Sequence, residues 1–253
     1  MRKKILLLLL LNNLNLVRLL AQTNLNYNCI YSTQFNLDFD RGKDHREFES
    51  KLFIRGEKSI FFMLATKQTY NKEDVDQSIT INSDTLFKVI KDQKNEYCIF
   101  SDILFTKNES FYNDSLYSMT WNLEKERKMI DTILCKKAIC FFRGREYIAW
   151  YAPTIPITNG PWKMGGLPGL IIELFDENKD MYYLLKRFES SENETESIPG
   201  LSTNTELQFA DYLKKGNAFI KRFRESQKAQ QLNCITCQTE SKVKFFLWEK
   251  LFN

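Results

Sequence analysis

Three observations predict a mainly β fold, α+β only at the margin, built as a single curved antiparallel sheet or half-barrel of successive hairpins. Apolar and polar residues alternate in stretch after stretch. Aromatic residues make up 14% of the 253-residue chain, which favours strands and a bulky core. One long segment, 206–231, carries its apolar residues at helical spacing, so a single C-terminal helix is expected on the sheet.

The strands follow in order. Tyr31, Thr33, Phe35, Leu37 and Phe39 share one face, with polar residues between them. Residues 47–65 repeat the pattern with Phe48, Leu52 and Ile54, and Gly56 turns the chain before Ser59–Leu64. Thr85–Ile90 and Tyr97–Phe100 read as a hairpin around Asp92–Asn95. Tyr117, Met119, Trp121 and Leu123 alternate as a further strand. A polar turn at Lys125–Arg127 is expected to lead into a strand over Met129–Phe142, which Arg143-Gly144-Arg145 turns back into Glu146–Tyr151. This succession reads as a meander. Asn71–Ser83 and Ser190–Thr205 are polar connections. In the helix, Phe209, Tyr212, Leu213, Ala218, Phe219 and Phe223 form the apolar stripe, and Lys214, Lys215, Lys221, Arg222 and Arg224 a solvated face. No internal repeat or long linker appears, so residues 22–253 are expected to form one domain.

Residues 1–21 have the order of a secretory signal peptide: basic Met1–Lys4, apolar Ile5–Leu11, and Ala21 at the cleavage point. Three Asn and an Arg interrupt the run, which weighs against a membrane anchor. The mean hydropathy of −0.40 likewise argues against several spans, and no stable transmembrane span is expected after leader removal. An exported protein of the periplasm or outer membrane is the expectation. The leader carries four of the 36 basic residues, leaving 32 basic against 32 acidic. A neutral mature chain gives no support to a nucleic-acid partner.

Six cysteines follow the leader, permitting fifteen full disulfide pairings. Cys135 and Cys140 fall on opposite faces of a strand and are poor partners for each other. Cys234-Ile-Thr-Cys237 follows the helix instead of opening one, so the helix dipole does not favour a thiolate there. A structural disulfide is the favoured reading of that pair, with a thiol oxidoreductase as the alternative. The single histidine, His45, excludes sites built from several histidines and lies in a charged, solvent-facing stretch. No nucleophile elbow, Walker motif or dinucleotide fingerprint is present, and no cofactor or metal is expected. Glu173 and Asp176 could serve as a hydrolase's carboxylate pair or form a hydrated strand end.

Four of five prolines and four of nine glycines fall between Pro153 and Gly169. Asn159-Gly160 and Leu167-Pro168-Gly169-Leu170 read as turns, the second of type II. Trp150, Tyr151 and Trp162 stand beside them. Either these turns set strand register and the aromatics fill the core, or a stiff rim presents Trp162 and Lys163 to a ligand or partner, with Trp150 and Tyr151 beside them.

Gly166-Leu167-Pro168-Gly169-Leu170-Ile171 spells GLPGLI, and the chain resembles the GLPGLI family of exported bacterial proteins. Cys135–Ala138, Phe142–Arg145, Ala149–Tyr151, Ile155–Ile157 and Gly160-Pro161-Trp162-Lys163 extend the resemblance, which is specific over residues 119–176, Gly165 included. Ala152-Pro153 and Met164 depart from the commoner residues there. The resemblance implies an envelope location and supplies no catalytic residues, the family's function being unassigned. The expected function is a non-enzymatic envelope protein that binds an apolar small molecule or an envelope protein complex, the alternative being an envelope enzyme.

Overall fold

The computed structural model describes residues 26–39, 42–64, 85–102, 110–116, 118–191 and 207–232. The elements run β1 (Asn26–Phe39), β2 (Gly42–Arg55), β3 (Lys58–Leu64), β4 (Thr85–Asp92), β5 (Tyr97–Asp102), β6 (Ser110–Ser115), β7 (Asn122–Ile130), β8 (Ile133–Phe142), β9 (Arg145–Ala152), β10 (Leu170–Asp176), β11 (Met181–Ser191) and α1 (Phe209–Leu232). The expected fold class is what the chain adopts, a mainly β protein with one C-terminal helix. All eleven strands form one antiparallel sheet in the order β6-β5-β4-β3-β2-β1-β11-β10-β9-β8-β7. Two meanders, β1 to β6 and β7 to β11, are joined side by side through β1 and β11, with Asn26 opposite Ser191 and Phe35 opposite Met181.

This order places consecutive strands β6 and β7 at opposite edges of the sheet, yet only residues 116–121 connect them. Seven extended peptide steps reach about 25 Å, whereas the edges of a flat eleven-stranded sheet stand about 48 Å apart. The sheet therefore bends, and Arg143 in the β8–β9 turn meets Asp114 on β6 at 2.5 Å. It remains open, because β6 and β7 do not pair with each other. One edge is partly covered where Asn113 N–H on β6 donates to the Leu207 carbonyl at 2.9 Å, just ahead of α1.

Cross-strand pairing assigns the faces, since directly opposed residues point the same way. The inner face carries Cys29, Tyr31 and Thr33 of β1, Leu52 and Ile54 of β2, Phe61 and Met63 of β3, Val89 of β4, Phe100 of β5, Tyr147 and Ala149 of β9 and Tyr183 of β11, all buried. α1 closes one end of this face. Its Phe209 and Tyr212 pack on Phe100, with ring centroids at 6.2 and 4.9 Å, and Tyr212 lies 5.4 Å from Tyr112.

The strands expected from alternation over 31–64, 85–100 and 146–151 are present; β6 and β11 were not anticipated. Two expectations are corrected between 117 and 142. Met119 and Trp121 belong to the crossing between the edges, not to a strand, and β7 starts only at Asn122. Lys125–Arg127 is not a turn. It lies within β7, where the register slips between Leu123 and Arg127, and the hairpin turns at Asp131-Thr132. A run of charges reads as a turn because turns are polar, but an exposed edge strand is polar for a different reason. Charge and a bulge keep its unpaired backbone from recruiting another strand.

A third correction concerns Leu167–Leu170. The Gly169 N–H donates to the Leu167 carbonyl at 2.8 Å, a three-residue turn centred on Pro168, and the Leu170 N–H goes to the Ile155 carbonyl at 3.0 Å. The motif is thus a γ-type turn tied across to Ile155, not a free-standing type II turn; the proline's fixed φ suits both. Gly169 follows at φ +154°, and a Cβ there would stand 2.2 Å from the Ala152 carbonyl oxygen, a backbone atom with no room to yield. Gly169→Ala is expected to cost roughly 3 kcal/mol or more, whereas Pro168→Ala should cost about 1 kcal/mol by loosening the unfolded chain. Urea unfolding midpoints of the two variants would check the ordering.

Candidate functional site

The turn-rich segment 153–169 lies against the inner face and occupies it. Trp162 and Met164 are fully buried and Leu167 is 1% exposed. Trp162 packs against Phe142 and Tyr147, at 5.9 and 6.0 Å between ring centroids. Pro161 to Met164 form a four-residue turn, closed by Met164 N–H to the Pro161 carbonyl at 3.1 Å. Its second residue is Trp162 at φ +52°. Bulky side chains avoid that left-handed region, and a residue held there is over-determined by its surroundings. Gly160 is small of necessity: a Cβ would meet Ile171 at 2.7 Å. The Ile171 carbonyl in turn accepts the Tyr31 hydroxyl at 2.8 Å.

A single transverse row of polar side chains holds this segment. Ser59 on β3 opposes Lys91 on β4, Lys91 opposes Cys98 on β5, and Cys98 opposes Asp114 on β6. Asn159 donates its side-chain amide to Ser59 at 2.9 Å. The Lys91 ammonium, fully buried, donates to the carbonyls of Gly160 at 2.9 Å and Met164 at 3.0 Å. Lys163 ion-pairs with Asp114 at 2.8 Å, and Arg143 binds the carboxylate's other oxygen. Lys163 also sits 3.5 Å from the centre of the Phe100 ring, and Arg143 3.6 Å from that of Phe209, so both cations meet aromatic faces that help replace water. From the far edge, the Trp121 indole N–H donates to the Gly165 carbonyl at 2.9 Å. The segment is thereby tied to β3, β4, β6 and the edge crossing together.

The four residues singled out for binding part company. Trp162 is buried in the interior, Lys163 is 4% exposed and ion-paired, and Tyr151 is buried on the inner face. Trp150 points outward and is half-buried, with Lys128 4.4 Å from its ring centre. Glu173 and Asp176 also face opposite ways. Glu173 contacts Lys128 and accepts the Tyr182 hydroxyl at 2.8 Å, while Asp176 binds Arg145 in the interior. They do not form a carboxylate pair. Trp150 itself is opposed by Lys137 on β8 and Glu173 on β10, while the next outer row is apolar: Ile139, Ile148, Phe175 and Tyr182 are directly opposed across β8, β9, β10 and β11, each half-buried. Phe141 beside them is 73% exposed. A depression of about 500 Å³ lies over β1, β2 and β11, lined in part by the charged Glu47, Glu49, Lys186 and Arg187.

Cys29, Cys98, Cys135 and Cys140 are buried and form no disulfide with one another. Cys135 lies on the outer face opposite Lys128, and Cys140 on the inner face opposite Tyr147. Burial pushes the Cys29 and Cys140 thiols up to about 12 and Cys135 to about 11, which keeps them protonated and unreactive near neutrality. Cys234 and Cys237 lie outside the described residues, as does the leader. His45 is exposed on β2 rather than between strands, its Nδ1 2.8 Å from Asn36 Oδ1. Among the described residues no group of three His, Cys, Asp or Glu side chains could hold a metal, and no helix is long and apolar enough to cross a membrane.

Residues 143–173, which run from the β8–β9 turn through the interior segment to β10, match a family described as "Protein of unknown function (Porph_ging)". No curated protein matches the chain. Among solved structures, PNGF-II in a P21 crystal form is similar at a TM-score of 0.52 and 14% identity, over 76% of this chain and 33% of that one. PNGF-II in a C2 form gives a TM-score of 0.44 at 14% identity, over 67% and 28%. The chain spans about a third of the length of PNGF-II, and the likeness is one of fold. The fold itself is that of an open antiparallel β-sheet with one of its own connections packed on the inner face.

Asp114 is the anion on which Lys163 and Arg143 converge. Asp114→Asn should destabilise the protein by about 3 kcal/mol, because it strands two cations that are largely buried. Adding Lys163→Met should recover part of that loss. A double-mutant cycle in urea would show a coupling above about 1 kcal/mol.

Proposed function

We propose that this chain is an exported envelope protein of the GLPGLI type that works by binding a protein partner, not by catalysis. The observation that carries the reading is the occupied interior. A carrier of apolar small molecules keeps its concave face for cargo, whereas here Trp162, Met164 and Leu167 of the chain's own segment fill that face. The outer face over β8–β11 offers what an interface core needs: the row Ile139, Ile148, Phe175 and Tyr182, with Trp150 and the exposed Phe141 beside it and charges around it. Of the aromatics singled out in the sequence, Trp150 is the one positioned to act as an anchor. The signal-peptide pattern of residues 1–21 supports export. An enzymatic reading draws no support from the thiols of Cys29, Cys135 and Cys140, which burial holds protonated, or from Glu173 and Asp176, which lie on opposite faces.

Native mass spectrometry of the mature protein, extracted from its own envelope without reductant, tests this. A stoichiometric protein partner is expected. It should be lost when Trp150→Ala is combined with Phe141→Ser, while the melting temperature changes by no more than a few degrees, since neither side chain belongs to the buried core. A retained apolar small molecule, or a partner that survives both substitutions, would overturn the assignment of this face.

A further inference from the structure

Lys91 is the buried group that the binding reading does not use. It stands on β4 in line with Phe87 and Val89, at a position where alternation calls for an apolar side chain, and it is 0% exposed. Its ammonium donates to two carbonyls of the interior segment, those of Gly160 and Met164, on either side of the strained Trp162. We propose that Lys91 is a proton-operated latch on the 159–164 loop: losing its proton tightens the seating of the loop inside the sheet, and gaining one loosens it.

The argument is geometric first. A buried ammonium must give up its water shell, and two carbonyl dipoles return part of that solvation only while the loop is seated. A neutral amine still donates to a carbonyl at far smaller desolvation cost. Among the described residues, Asp114, Cys98 and Cys29 are the acidic groups that bear on it. Asp114, two strands along the same row, is bound by Lys163 and Arg143. Cys98 on β5 and Cys29 on β1 act on Lys91 electrostatically in the direction that favours its proton, but burial outweighs them. Burial accordingly lowers the Lys91 pKa from 10.5 to about 7.

The direction follows from linkage. With the seated form binding the proton less tightly than the open form, the open form takes up protons between pH 7 and 10.5, so seating strengthens as pH rises through that window. Below about pH 7 both forms hold the proton, and seating stays at its weakest. The opening constant should fall about tenfold per pH unit above 7.

Cys98, opposite Lys91, reports opening, because its buried thiol can be alkylated only when the interior is exposed. Labelling rates at Cys98, followed by peptide mass mapping from pH 6 to 9, would be measured for the wild type and Lys91→Met. Taking the ratio of the two rates at each pH cancels the thiol's own ionisation. The ratio is expected to be flat below pH 7 and to fall about a hundredfold between pH 7 and 9. A ratio independent of pH overturns the proposal. Should Lys91→Met fail to fold, the ε-carbon NMR resonance of Lys91 in the wild-type protein decides it. A midpoint near 7 supports the latch, and one near 10 overturns it.

Discussion

Residues 116–121 impose the constraint on which the rest depends. They carry the chain from one edge of an eleven-stranded sheet to the other, a distance that a flat sheet would make about twice what they can span. The sheet has to bend, and bending creates a concave face that a single layer of strands cannot fill. Something must occupy it, since an empty apolar interior loses the dispersion contacts that dense packing provides. The chain meets this need from within, with the connection between β9 and β10 on the inside and α1 across one end.

Filling a bent sheet with backbone raises a second difficulty, because loop carbonyls and amides must find partners away from water. In the polar row, Lys91 supplies them for the carbonyls of Gly160 and Met164, while Ser59 and Asp114 answer the side chains of Asn159 and Lys163. Each member is an exception to the apolar alternation of its strand, and each is matched to a group on the segment. The segment's composition answers to the same demand. Gly160 and Gly169 allow contacts that a Cβ would prevent, and Trp162 is held at a positive φ that only dense surroundings maintain. The match of residues 143–173 to a family pattern therefore coincides with the stretch under the tightest steric requirements.

Much of the fold was legible because alternation is a local signal. Tyr31, Thr33 and Phe35 on β1, and Leu52 with Ile54 on β2, are buried as alternation selects; in the helix Tyr212 is buried and Phe209, Leu213 and Phe219 half-buried, whereas Ala218 of the expected stripe is exposed and the buried Ile220 lay outside it. The failures arose where the same local appearance has two physical causes. Met119 is buried and Trp121 half-buried between the exposed Ser118 and Thr120, because a crossing between edges also has one buried side; Tyr117 lies outside the described residues, and Leu123, on the edge strand β7, is exposed. Glu124–Lys128 is charged because it is an exposed edge, not a turn. The site was legible only in part. The density of proline and glycine marked the 153–169 segment as constrained, but not the side of the sheet on which it lies. That is why Trp162 and Lys163, expected on a rim, proved to be interior. Lys91 carried a readable clue, a lysine continuing the buried phase of Phe87 and Val89. Asp114 had a fainter one, two positions after the buried Tyr112. Their meeting with Gly160 and Lys163 depends on pairings far apart in sequence, which no local pattern encodes.

The junction between the two meanders has a consequence for how the chain comes into being. β1 is fourteen residues long and pairs on one side with β2, its immediate successor. Its other side waits for β11, whose residues lie 146 positions later at Phe35–Met181 and 165 later at Asn26–Ser191. A ribosome adding roughly 5–20 residues per second needs about 10–30 s to deliver them. Throughout that interval a long row of backbone donors and acceptors stands open, in the strand that will become the middle of the sheet, and it is a template for any stray strand. Holding factors that shield nascent β-structure would therefore matter most for the first third of this chain, and a pause in synthesis before residue 181 would be far more hazardous than one after residue 191.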